Sequence, residues 1–149
     1  LRPEPLKRLR LLLVEDDKGR ADRIRSWLPG DVLVTHCASA GRAIGTLRRD
    51  RGSVYAGVLL DHDLQGATAS AMDEALSGAD VATEIVRCID SDVPILVHSM
   101  NPQGARTMCG KLETAGFDVT RIAMVALDRA KLNAWLDEVR ARWQERIEE

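Results

Sequence analysis

Aromatic side chains are scarce, with three Trp, one Tyr and one Phe making up 3% of 149 residues. So few flat rings leave few platforms for stacking bases, and 21 Lys+Arg against 23 Asp+Glu supply no basic field for a phosphate backbone. Nucleic acid is not an expected partner. Cysteine is scarce too. Cys37, Cys88 and Cys109 are odd in number and form no C-x-x-C pair, which argues against a disulfide framework or a zinc site. Long apolar runs are also missing. Lys7 to Val14 opens like a signal peptide, but the run stops at Glu15, too short for a signal sequence or a membrane span. A soluble, cytoplasmic protein without membrane contact is expected.

What the chain does have is two short apolar runs that end in acid, Leu11-Leu12-Leu13-Val14-Glu15-Asp16-Asp17 and Val58-Leu59-Leu60-Asp61-His62-Asp63. Such runs read as central strands of a parallel sheet, and neighbouring parallel strands end on one edge. Glu15, Asp16, Asp61 and Asp63 should therefore converge. Gathered carboxylates repel one another unless a cation sits among them.

Strand-like and helix-like segments alternate five times. Lys18 to Leu28 places Ala21, Ile24, Trp27 and Leu28 on one helical face, and Val32 to Cys37 reads as a second strand. Ser39 is the expected N-cap of a helix that Gly52 closes, and Val54 to Leu60 leads into Asp61. Helices are expected over Gly78 to Ile89 and Gly104 to Ala115, with a strand over Pro94 to His98 between them. A fifth strand falls within Val119 to Val125, and a last helix runs from about Asp128 with Leu132, Trp135, Leu136, Val139 and Trp143 inward. Five units of about 30 residues are the size of βα building blocks. They predict an α/β fold, a doubly wound five-stranded parallel sheet in a single domain over residues 1–149 with its core at about 9–140. Ligands of such sheets bind beyond the carboxyl ends of the strands, where the strand order reverses.

The motif Leu12-Leu13-Val14-Glu15-Asp16-Asp17 resembles the first strand of receiver domains of two-component response regulators, and Gly57 to Asp61 resembles the strand ending in their phospho-accepting aspartate. Pro94-Ile95-Leu96-Val97-His98-Ser99 is similar to the fourth strand, with Ser99 where the family keeps a hydroxyl. Ala38 to Ala43 resembles the entry into helix two. The resemblance spans roughly residues 9 to 140 and implies a flavodoxin-like strand order 2-1-3-4-5. It also implies that Asp61 is the phosphoacceptor, that Glu15, Asp16, Asp61 and the backbone carbonyl of Asp63 hold Mg²⁺ or Mn²⁺, and that Ser99 bonds a phosphoryl oxygen. The ion would neutralise a carboxylate attacking phosphorus.

Three departures stand out. The strand-five region Ile122 to Asp128 has no lysine, leaving Arg121 or Lys131 to reach in from either side. The glycine expected soon after the nucleophile matches Gly78, which makes Gln65 to Ser77 an insertion, either a surface loop or a lid. Histidines also appear at Asp61-His62-Asp63 and at His98-Ser99-Met100-Asn101-Pro102. These last motifs resemble a divergent receiver branch associated with processing cyclic phosphates. His98 would then be a general acid or base, with His62 and Asn101 as further pocket residues. Strand alternation instead turns His98 away from Ser99, into a helix interface, and His36 reads as structural.

The leading expectation is a signalling domain that takes a phosphoryl group on Asp61 from a histidine kinase or phosphotransfer protein, with an altered switch. The alternatives are a metal-dependent phosphoesterase acting on a small cyclic or monoester phosphate, and a pseudo-receiver that binds a protein. Trp143, near the end of the last helix, marks the expected surface for a homodimer.

Overall fold

A computed structural model describes residues 8–64 and 76–148. Five parallel strands, β1 (Arg10–Val14), β2 (Leu33–Cys37), β3 (Gly57–Leu60), β4 (Ile95–Val97) and β5 (Val119–Arg121), form one sheet in the order β2-β1-β3-β4-β5. Five helices are found among the described residues: α1 (Lys18–Trp27), α2 (Ala40–Arg49), α3 (Gly78–Cys88), α4 (Pro102–Thr114) and α5 (Arg129–Glu148). The expected architecture and strand order are both present. Residues 65–75, most of the expected insertion, lie outside the described residues, so the choice between loop and lid does too.

Side-chain caps set where the helices begin. Asp17, Ser39 and Asn101 accept the N–H groups of Arg20, Arg42 and Gly104, and Ser77 with Asp80 closes a capping box at α3. Each such cap stabilises its helix by about 1 kcal/mol. Asn101 followed by Pro102 starts α4 two residues ahead of the expected Gly104, because proline's fixed φ and missing N–H suit the first helical position.

Alternation divides the strands between two cores. Leu12, Val14, Val58, Leu60, Ile95 and Val97 pack with the inner faces of α2, α3 and α4. Leu11, Leu13, Leu59 and Leu96 pack with Ala21 and Ile24 of α1 and with Leu132, Trp135, Leu136 and Val139 of α5. Trp143 is half-buried against this second core. Every residue of β1, β3 and β4 except Arg10 is buried, which stabilises the fold by on the order of 2 kcal/mol per Leu, Ile or Val side chain and gives the strand ends a firm base. The three cysteines are free, and burial pushes their thiols up.

Candidate active site at the carboxyl edge of the sheet

Register builds the site. Val14 pairs with Leu60, and Leu60 with Val97. The ladder runs one residue further, with the Asp61 N–H donating to the Val14 carbonyl and the His98 N–H to the Leu60 carbonyl, both at 3.1 Å. Glu15, Asp61 and His98 are thus the next residues of three adjacent strands, and they are 0%, 5% and 1% exposed. One atom from each lies within 4.8 Å of the others.

The two sides of the sheet receive different residues. Leu13, Leu59 and Leu96 face α1 and α5, and two residues on, by alternation, Glu15, Asp61 and His98 continue that face. His98 donates from Nε2 to Glu15 Oε1 at 3.2 Å. Here the expectation is corrected. His98 does point toward the α1/α5 side, but at this edge that side is the acidic pocket and not a helix interface. Its Nδ1 has no partner although it is buried. Ser99 is fully buried and accepts the Asn101 N–H on its Oγ at 3.0 Å. It does not line the cavity of about 70 Å³ that is walled by Arg20, Asp61, Asp63, His98, Met100 and Met124.

His62 belongs to the other side. Its Nδ1 donates to Asp63 Oδ1 at 3.0 Å, and a Cβ added to Gly104 would come within 2.4 Å of the ring. The ring therefore rests on the first turn of α4, a seat only glycine leaves open. Asn101 Nδ2 reaches the same Asp63 oxygen at 3.4 Å while its own Oδ1 caps α4. His36 donates to the Glu15 carbonyl at 2.6 Å and fixes the backbone of the site, a structural role.

Sequence reasoning missed Arg20. Its Nε lies 3.0 Å from Glu15 Oε1, and its Nη2 lies 3.2 Å from Glu15 Oε2, 3.5 Å from Asp16 Oδ1 and 3.8 Å from Asp61 Oδ2. The signal was its place one turn after the acids, on a helix that Asp17 caps. The cations expected instead are elsewhere. Arg121 is exposed at the end of β5, and Lys131 donates to the Ala126 carbonyl at 2.8 Å. The segment after β5 sends Met124 to the cavity.

Charge is uneven across the acids. Burial alone would raise the Glu15 carboxyl, but hydrogen bonds from His98 and Arg20 and the His98 charge hold it down, to about 2. Burial and the Glu15 carboxylate push Asp16 up, to about 6, and burial with the Glu15 charge also raises Asp61. Raised carboxyls beside an ionised one are what a cation would relieve. Glu15, Asp16 and Asp61 fit as oxygen ligands for Mg²⁺ or Mn²⁺.

A five-stranded 2-1-3-4-5 sheet with a buried aspartate after β3 and acids after β1 is the arrangement of a receiver domain. The chain belongs to the cyclic-phosphate processing receiver domain family, whose model matches residues 10–114. No sequence among the curated proteins matches it. Among solved structures, the signal receiver domain of an HD domain-containing protein from Pseudomonas fluorescens Pf-5 superposes with a TM-score of 0.69 at 15% identity, covering 97% of this chain and 96% of that one. A two-component response regulator from Clostridium difficile gives a TM-score of 0.65 at 15% identity, covering 91% of this chain and 98% of that one. The receiver domain of the sensor histidine kinase PA1611 from Pseudomonas aeruginosa PAO1 is 26% identical, with a TM-score of 0.62 over 86% of this chain and 93% of that one. It holds a magnesium ion in its active site cleft.

Proposed function

We propose that this domain hydrolyses a small cyclic phosphate at the carboxyl edge of its sheet. The observation that carries this reading is the buried His98, held by Glu15 beside Asp61 on the wall of the cavity. Storing a phosphoryl group on an aspartate requires neutralised charge, whereas opening an ester also requires a proton for the departing oxygen. An imidazole can hold and release such a proton near neutral pH. The description of the matching family supports the same substrate class.

Glu15, Asp16 and Asp61 would hold a divalent cation, which when bound supplies Lewis acidity toward a phosphate oxygen. Glu15 keeps the His98 ring in place by accepting its Nε2 hydrogen bond. Water adds to phosphorus and releases a proton to solvent, one P–O ester bond breaks, the leaving oxygen takes the His98 proton, and the imidazole regains a proton from solvent, giving a phosphate monoester. Met100 and Met124 supply the apolar part of the cavity wall.

A second reading, phosphoryl acceptance on Asp61 from a kinase or phosphotransfer partner, is favoured by the burial of Asp61 at the end of β3. One experiment separates the two. Cyclic and monoester phosphates are screened with Mg²⁺ and Mn²⁺ by phosphorus NMR, alongside intact mass after treatment with a small phosphodonor. Turnover of a cyclic phosphate that falls about a hundredfold in His98→Ala supports hydrolysis. No turnover on any ester, with a stable phosphoryl adduct that Asp61→Asn abolishes, replaces it with the acceptor reading.

A further inference from the structure

One side chain touches three acids of the site, and metal-assisted phosphate chemistry leaves it unexplained. Arg20 spans Glu15, Asp16 and Asp61, the three carboxylates offered to a cation. Asp17 caps α1 through the Arg20 N–H at 2.8 Å, so the arginine backbone is fixed at the third helical position while its side chain, 35% exposed, has open space beside it. Arginine does not deprotonate, so it cannot shed its charge to make room. A divalent ion coordinated at 2.0–2.6 Å would take the same carboxylate oxygens and repel the guanidinium.

We infer that Arg20 is a tethered counter-ion that occupies the acid cluster when no metal is bound and moves to the phosphate when one is. This inference rests on reading the pocket as a metal-dependent phosphate site. Arg20 is the sole arginine or lysine among the described residues that line the cavity, so the displaced guanidinium remains at its wall. There it meets a phosphate as a fork of parallel N–H donors, the geometry arginine makes best. The positive charge that the segment after β5 does not provide, with Met124 in that place, thus comes from the opposite side of the pocket, on α1.

The exchange has two measurable signs. Removing the arginine removes a competitor for the carboxylates, so metal binds more tightly. It also removes a phosphate ligand, so anion binding to the metal-loaded protein weakens. Arg20→Gln removes the charge and leaves a shorter polar side chain, and Arg20→Lys keeps the charge without the fork. Mn²⁺ titrations by calorimetry are followed by inorganic phosphate titrations at saturating Mn²⁺, with circular dichroism confirming the fold of each variant. Arg20→Gln is expected to bind Mn²⁺ about tenfold more tightly than wild type and phosphate about tenfold more weakly, and Arg20→Lys to restore the metal competition but only part of the phosphate affinity. Unchanged or weaker Mn²⁺ binding by Arg20→Gln overturns the inference, as does unchanged phosphate binding. Should Arg20→Gln not fold, the Arg20→Lys titrations alone decide it, since phosphate affinity equal to wild type also overturns it. Failure of the wild type to bind Mn²⁺ at millimolar concentration overturns the metal-site reading itself. Loss of ester turnover alone touches only the proposed hydrolysis, because neither titration depends on it.

Discussion

His62 and His98 each directly follow or adjoin an acid-ended strand, yet they occupy opposite faces of one sheet. His98 is sealed against Glu15 with one ring nitrogen unpaired, whereas His62 is partly exposed, lies over Gly104 and is tied to Asp63. The first has the environment of a proton carrier. The second joins the β3 loop to the start of α4. After β3, Asp61 falls on the α1 side and His62 on the α4 side, so a shift of one position separates chemistry from construction.

The sharpest test of this contrast is activity. His98→Ala should lower ester turnover about a hundredfold, while His62→Ala should change it by less than about threefold, measured as kcat/KM at saturating metal. Equal losses would erase the distinction.

Stability should show the reverse. Gly104→Ala drives a methyl into the His62 ring and should cost about 1–3 kcal/mol in urea unfolding, an overpacking penalty. His62→Ala in the same chain should relieve most of it, since the clash needs both partners. A double variant as unstable as Gly104→Ala would place the strain elsewhere.

A smaller effect is expected from pH on the metal-free protein. Asp16, raised from 3.8 to about 6, keeps its proton in the folded state at pH values where the unfolded chain has released it. Stability from this group therefore falls as pH rises through that window, and Asp16→Asn should flatten the slope and add roughly 1 kcal/mol at pH 7 after solvent screening. Glu15 acts oppositely, its contribution being present above about pH 4.5 and lost as pH falls toward 2. Unfolding curves in chelator across pH 3–8 would measure both. Millimolar Mg²⁺ or Mn²⁺ should raise Tm by a few degrees in wild type and less in Asp16→Asn; equal shifts would count against specific binding.

Much of this was legible in the chain. Leu11 to Val14 and Val58 to Leu60 end in acid, and parallel pairing brought Glu15 and Asp61 together as expected. The expected strands two to four overran the ladder: Val32 is buried just outside it, Val54 is exposed in a bend, and His98 directly follows β4 with its N–H bonded to the Leu60 carbonyl, whereas β5 falls inside its expected range. The face of His98 followed from alternation, but its surroundings were misjudged, because beyond the row of Leu13, Leu59 and Leu96 that face carries Glu15 and Asp61 and not a packed helix. Arg20 escaped notice because the replacement for a lysine was sought in sequence near β5, while spatial proximity placed it on α1.

The backbone ladder that continues past the strand ends has a consequence for how the site evolves. Asp61 and His98 give their amide hydrogens to Val14 and Leu60, so their main chains are held whatever side chain they bear. These amides should exchange with deuterium only on global unfolding, as the innermost strand positions do. A substitution at either position then alters reactivity while the fold stays in place, and lineages sharing this sheet can trade one chemistry for another by single replacements along one row of sockets.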